Sequence, residues 1–117
     1  MRRAEFERVV DEALEELPEW VVSAVDNLHV VVEDWPSRRQ DPEGHGILGI
    51  YEGLSLLDRG VDYSGYLPDR IVIFMGPHLE LGLSRRELRD EIRTTVLHEV
   101  AHHLGIDDER LHQLGWD

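Results

Sequence analysis

The 117-residue sequence contains no cysteine, no lysine and no apolar run long enough to cross a membrane. Without cysteine, disulfides, thiolate metal ligands and cysteine nucleophiles are all excluded. All 12 basic residues are arginine, and against 25 acidic residues they leave a formal net charge of −13. Because so acidic a surface repels phosphate backbones and anionic lipids, the composition argues against nucleic-acid and membrane partners.

The length of the chain indicates one domain. A chain of 117 residues can bury a single modest core, so we expect one domain over residues 1–117. The opening MRRAEFERVV is amphipathic and lacks the apolar run of a signal peptide. We therefore expect a cytoplasmic protein, and a monomer.

Hydrophobic periodicity predicts both helices and strands. The apolar run RIVIFM at Arg70–Met75 is typical of a strand that is buried on both faces. The strand predicted at Ile47–Tyr51 is less apolar, and we expect it at the edge of the sheet, where it could hold an extended peptide. The remaining elements are a strand over residues 28–32 and helices over residues 4–17, 18–25, 84–104 and 107–114.

Residues 98–108 read HEVAHHLGIDD, which is the pattern HExxHxxGxxD. The helix that carries them opens with a capping-box sequence, Ser84 to Glu87. On a helix, His98 and His102 project from one face one turn apart, so both imidazoles can bind a single zinc ion. Glu99 lies between them and can reach a water molecule on that ion. The spacing therefore predicts a zinc site on this helix.

A third ligand is expected after the turn that follows the helix. Gly105 permits a sharp turn, after which Asp108 can swing back and offer an oxygen. Asp107, Glu109 or His112 could supply the third ligand instead, and Asp108 could simply be a helix N-terminal carboxylate. Three protein ligands leave a fourth position for water, which is typical of a catalytic zinc site.

Several neighbouring residues have predicted supporting roles. Glu91 and Thr95 precede His98 on the same stripe of the helix and are candidates to orient its imidazole. His103 points about 140° away from His98 and is expected to be structural, exposed or partly buried. Three other histidines lack spacing partners and are expected at the surface or in turns: His29, His45 and His78. The tyrosines are expected to pack, or to donate a hydrogen bond in the transition state: Tyr51, Tyr63 and Tyr66.

The segments FERVVDEALEELP, ILGIYEG, LPDRIVIF and TTVLHEVAHHLGIDDERLHQLGW resemble the small bacterial zincin-like metallopeptidases over nearly the whole chain. The resemblance implies a compact α+β zincin-like single domain, with a small mixed sheet packed with helices and a long active-site helix. It implies that His98, His102 and Asp108 are the metal ligands and Glu99 the general base. The wider metzincins share HExxHxxGxx but usually have histidine as the third ligand and a methionine-containing turn after it. This sequence has Asp108 there, and no methionine follows it.

Motif and resemblance together predict zinc-dependent hydrolysis of peptide bonds. In this hypothesis Glu99 takes a proton from a zinc-bound water and delivers it to the leaving amine. Zn²⁺ is the expected cofactor, and a peptide or protein is the expected substrate. The alternative is a metal-binding or peptide-binding module with the same fold and little or no proteolytic activity.

Overall fold

The computed structural model describes residues 1–25, 27–53 and 69–115, and within them helices and strands are mixed along the chain. In chain order the elements are α1 (Arg3–Glu15), α2 (Glu19–Ala24), β1 (Leu28–Glu33), β2 (Gly49–Glu52), β3 (Asp69–Phe74), α3 (Met75–Leu79), α4 (Arg85–His103) and α5 (Asp108–Leu114). Every helix and strand predicted from the sequence is present, with bounds that differ by at most two residues. Two of the tyrosines, Tyr63 and Tyr66, lie outside the described residues.

The short helix α3 is not among the predicted elements. Glycine and proline follow the apolar strand, and this pair is typical of the end of a strand. Instead, Gly76 and Pro77 lie in the first turn of a helix. Proline is tolerated there, because the N–H groups of the first turn have no partner within the helix.

The three strands form one mixed sheet in the order β1-β3-β2. β1 pairs parallel with β3, and β2 pairs antiparallel with it, so that Gly49 lies opposite Ile73 and Tyr51 opposite Ile71. All side chains from Ile71 to Phe74 are fully buried, which confirms the predicted burial of this strand on both faces. Among the described strands β2 lies at an edge of the sheet, as predicted for Ile47–Tyr51.

α1 and α4 pack against each other and cover one face of the sheet. The residues of α4 that face this core recur every four positions, as expected for one side of a helix. The core combines residues of α1, α2, β3 and α4: Phe6, Val9, Val10, Ala13, Val21, Ile71, Ile73, Leu88, Ile92, Val96 and Val100. In the ranges that the structure describes, no helix is both long and apolar enough to span a membrane.

Both ends of α4 are fixed by residues that the sequence singles out. The Ser84 hydroxyl accepts a hydrogen bond from the backbone N–H of Glu87 at 3.2 Å, and the Glu87 carboxylate accepts one from the Ser84 N–H at 3.1 Å. At the other end, Gly105 adopts a φ of +83°, a left-handed conformation that glycine tolerates without strain. The chain therefore turns sharply after α4 and begins α5 beside it.

A buried carboxylate holds the loop that leads into β2. Asp41 accepts hydrogen bonds from the backbone N–H groups of His45 at 3.0 Å, Gly46 at 2.8 Å and Ile47 at 3.4 Å. Burial raises the pKa of Asp41, but the three backbone hydrogen bonds outweigh that effect and lower the pKa below its usual value. This ionised carboxylate fixes the path by which the chain enters the edge strand.

Candidate metal centre

His98 and His102 project from the same side of α4, with ring centroids 4.4 Å apart and planes inclined by 72°. The turn at Gly105 brings Asp108 next to both rings. Its Oδ1 atom lies 3.7 Å from Nε2 of His98 and 3.4 Å from Nε2 of His102. Ligand atoms on a tetrahedral zinc ion lie about 3.3 Å apart, since each bond measures about 2.0–2.1 Å. The two distances from Asp108 are therefore close to the spacing between ligand atoms on a zinc ion.

Glu99 contacts the His102 ring on the side opposite to Asp108. Its Oε1 atom lies 3.0 Å from Nδ1 of His102, and its side chain is only 7% exposed. A carboxylate can only accept, so Nδ1 donates to Glu99, and in the neutral ring the lone pair of Nε2 is available to a metal. This hydrogen bond raises the pKa of His102. Possible ligand atoms of His98, Glu99 and His102 all lie within 4.8 Å of one another.

The geometry favours Asp108 over Glu99 as the third ligand. The two ring nitrogens of His102 point in different directions, and Glu99 faces Nδ1 whereas Asp108 faces Nε2. Of the other candidates, Asp107 caps α5 by accepting a hydrogen bond from the backbone N–H of Arg110 at 2.8 Å. Glu109 is exposed on the first turn of α5. The ligand role of Asp108 stays a prediction.

A cleft of about 320 Å³ lies between the edge strand and α4, beside these side chains. The strand side consists of Ile47, Leu48 and Gly49, and the helix side of Glu91, Thr94, Thr95, His98 and Glu99. The strand comes close to the helix at Gly49. A Cβ atom there would lie 2.9 Å from Cγ2 of Thr95 and 3.3 Å from Cγ of Glu99. The absence of a side chain at this position therefore lets the strand approach the helix beside the candidate metal centre.

Thr95 does not orient His98, contrary to the expectation from the helix stripe. Its hydroxyl lies 3.0 Å from Nε2 of His78, and also 3.0 Å from the backbone carbonyl of Glu91. His78 is fully buried, so its prediction as a surface or turn residue is wrong. Its Nδ1 donates to the carbonyl of Phe74 at 2.7 Å, and burial lowers its pKa. The spacing of histidines along the chain does not indicate that His78 is buried or that it contacts Thr95.

His103 is fully buried as well, although the sequence predicts an exposed or partly buried residue. Its Nδ1 atom lies 2.9 Å from Oδ2 of Asp69, and the Tyr51 hydroxyl donates to the same carboxylate oxygen. The rings of Tyr51 and His103 meet edge to face, with centroids 5.7 Å apart. This cluster joins the C-terminal end of α4 to the sheet. The predictions of exposed positions for His29 and His45 are confirmed.

Comparisons with known proteins agree with this architecture. The sequence model of the zincin-like metallopeptidase family matches residues 25–116, a range that includes the whole HExxHxxGxxD pattern. A solved structure of a conserved hypothetical protein from Thermo thermophilus has a TM-score of 0.58 and 26% sequence identity to this chain. The match covers 99% of this chain and 100% of that one. Among proteins with curated descriptions, none matches the chain.

Proposed function

Because the chain belongs to the zincin-like metallopeptidase family, we propose that it hydrolyses peptide bonds with one zinc ion held by His98, His102 and Asp108. One observation carries this proposal. Two imidazole Nε2 atoms face the same carboxylate oxygen at 3.7 and 3.4 Å, and a second carboxylate lies beside them. Two nitrogen donors and one oxygen donor are a set that zinc accepts in catalytic sites.

When bound, zinc supplies Lewis acidity to a carbonyl group and lowers the pKa of water to about 7. The protein supplies the handling of protons, which we assign to Glu99. Its carboxylate takes a proton from the water whose oxygen forms a bond to the carbonyl carbon. As the carbon–nitrogen bond breaks, it donates that proton to the leaving amine. One oxygen of Glu99 accepts the hydrogen bond from His102, and the other oxygen can carry the proton.

The substrate that fits the site best is an extended peptide. β2 lies at an edge of the sheet formed by the described strands, and a peptide could pair with one side of its backbone. The cleft between β2 and α4 runs past His98 and Glu99, and its volume of about 320 Å³ accommodates side chains of such a peptide. Pairing with the edge strand therefore aligns a peptide beside the groups that carry out the reaction.

A second candidate function is a zinc-dependent peptide-binding module that does not cleave. The position of Glu99 favours it, because a buried carboxylate on Nδ1 of His102 is also what a purely orienting residue would provide. In that case Glu99 holds the imidazole for the metal and transfers no proton. The two functions share the metal centre and differ in the role of this one carboxylate.

The substitution Glu99→Gln separates the two functions. Glutamine keeps an oxygen that accepts the hydrogen bond from His102, so we expect zinc content to stay at the wild-type level. It cannot take up a proton, so cleavage of a peptide library should fall by about 10²–10⁴-fold. The measurements are metal analysis and mass spectrometry of the digested library. Equal cleavage by both proteins would contradict the assigned role, and no cleavage by the wild type would favour the binding module.

A further inference from the structure

Glu91 lies in the cleft that is also lined by His98 and Glu99 of the candidate metal centre. It is seven residues before His98 on α4, so the two side chains are on the same side of the helix about 10 Å apart along its axis. Thr94 and Thr95 lie between them on the cleft wall. Glu91 and Glu99 are the carboxylates of the cleft, and no arginine lines it within the part of the chain that the structure describes.

The carboxylate of Glu91 has no direct partner among the described residues. Within the described residues it makes no hydrogen bond and no ion pair, although it is partly buried. The nearest arginines along the helix are paired with α1 and its C-cap residue: Arg89 with Glu12 at 3.0 Å, and Arg93 with Glu16 at 3.4 Å. A partly buried carboxylate without a partner is less stable than one that meets a cation, since it has lost part of its hydration. A positively charged ligand group would restore that stabilisation.

The distance from Glu91 to the candidate metal centre fits a side chain of a bound peptide. An extended chain advances about 3.3 Å per residue, so about 10 Å corresponds to three residues. The long side chains of arginine and lysine reach a carboxylate from that position, and arginine can form two parallel hydrogen bonds with it. Acidic side chains of a peptide would be repelled by the two carboxylates in the cleft and by the protein's net charge of −13.

We propose that Glu91 determines specificity by selecting extended peptides with a basic side chain about three residues from the bond placed at the metal centre. This inference rests on the proposed function for the position of that bond. It adds the substrate class: peptides with arginine or lysine at a fixed distance from the candidate metal centre. Glu91 contacts the substrate and takes no part in the reaction itself.

Binding can be measured on the non-cleaving variant Glu99→Gln in zinc-containing buffer. The probes are short capped peptides of one apolar background sequence, in which arginine, glutamine or glutamate occupies each position in turn. We expect peptides with arginine at one register to bind about tenfold more tightly than their glutamine counterparts. Adding Glu91→Gln should remove the preference for arginine peptides. Adding Glu91→Arg instead should make the glutamate peptides bind more tightly than the arginine peptides. Asp90→Asn is the matched control, because it removes one charge from the exposed face next to Glu91 and should preserve the preference.

The inference is overturned if the Glu91→Gln protein retains the arginine preference, if charge has no effect on affinity, or if no peptide binds. The proposed function is judged separately, from cleavage of the same peptides by the protein with Glu99 intact. Absence of cleavage with a preference that depends on Glu91 would support the specificity role and contradict the enzyme. Cleavage without any preference for basic residues would support the enzyme and contradict the role of Glu91.

Discussion

Two carboxylates contact His102, and they differ in burial and in the nitrogen that they face. Glu99 is buried against Nδ1, whereas the side chain of Asp108 is 83% exposed and faces Nε2. A buried carboxylate is already ordered and can hold the ring in one orientation. An exposed one can adjust to an ion, at the cost of some side-chain entropy. In the proposed function this division lets Glu99 orient His102 with one oxygen and handle the proton with the other, while Asp108 is the metal ligand.

Replacing Asp108 with alanine tests the third ligand. The loss of a residue that merely orients a ligand typically lowers metal affinity by about 10–100-fold, so removal of a direct ligand should lower zinc affinity by at least that factor. Glu109→Ala is the control, because Glu109 is the next exposed carboxylate in the first turn of α5 and its loss changes the charge equally. Competition with a chromogenic chelator measures both affinities. Unchanged zinc affinity in Asp108→Ala, or a larger loss in Glu109→Ala, would assign the ligand elsewhere.

The buried His78 makes stability depend on pH. Burial lowers its pKa from the ordinary value of 6.5, even though the nearby Glu91 acts to raise it. Below about pH 6.5 the unfolded chain therefore binds a proton that the folded protein does not, and the unfolding free energy falls as the pH falls. In His78→Gln the drop in unfolding free energy between about pH 7 and pH 5 should be smaller than in the wild type.

His29→Gln is the control for that measurement, because His29 is exposed on β1 and should leave the pH dependence unchanged. Chemical denaturation at a series of pH values gives the three curves. If His78→Gln and the wild type lose the same unfolding free energy over this range, His78 is not the group responsible.

Local spacing predicts which side chains share a helix face, and for this reason His98, Glu99 and His102 could be identified from the sequence. The buried pairs of side chains could not be identified from the sequence. His78 and Thr95 are 17 residues apart, and Asp69 and His103 are 34 residues apart. Each pair meets only because another element packs against α4, and the pattern of one segment contains no information about its neighbour in space.

Among the elements, the approach of β2 to α4 shapes the candidate site. The sequence predicts the strand, its edge position and the capped helix, because alternation, composition and capping residues are local properties. It does not predict α3, since glycine and proline end a strand more often than they open a helix. A glycine within a strand indicates a close approach of another group, but the sequence alone does not identify that group.

Gly49→Ala tests the importance of this approach. The added methyl group would lie 2.9 Å from Cγ2 of Thr95, so the strand or the Thr95 side chain must shift, and Glu99, at 3.3 Å, must move by a few tenths of an ångström. We expect a loss of about 1–3 kcal/mol in unfolding free energy, typical of overpacking. Cleavage per folded molecule should also fall, because Glu99 is displaced. Thermal unfolding and peptide cleavage measure the two effects.

Gly82→Ala provides the comparison for this substitution. A Cβ atom at Gly82 meets no other atom within 4 Å, but its φ of +68° disfavours alanine. This variant should lose stability and keep wild-type cleavage per folded molecule. Equal cleavage by Gly49→Ala and the wild type would mean that the contact with Glu99 does not matter for the reaction.

For the molecule as a whole, charge and metal binding are coupled. The net charge of −13 attracts divalent cations and disfavours acidic substrates. Arginines of α4 form exposed ion pairs with acidic residues of α1, each of which contributes little to stability. The candidate metal centre joins α4 to α5 across the turn at Gly105. A bound ion should therefore stabilise the fold, by about 2.7 kcal/mol at a free concentration of 100 times Kd.

Calorimetric titration with zinc, at equal concentrations of the wild type, His98→Ala and His102→Ala, tests the central claim most directly. We expect the wild type to bind about one zinc ion per chain and, in a thermal scan of the same samples, to unfold at a higher temperature with zinc than without it. Each alanine variant should remain folded and lose both effects. Zinc binding by His98→Ala with wild-type affinity, or no zinc binding by the wild type, would contradict a metal centre on α4.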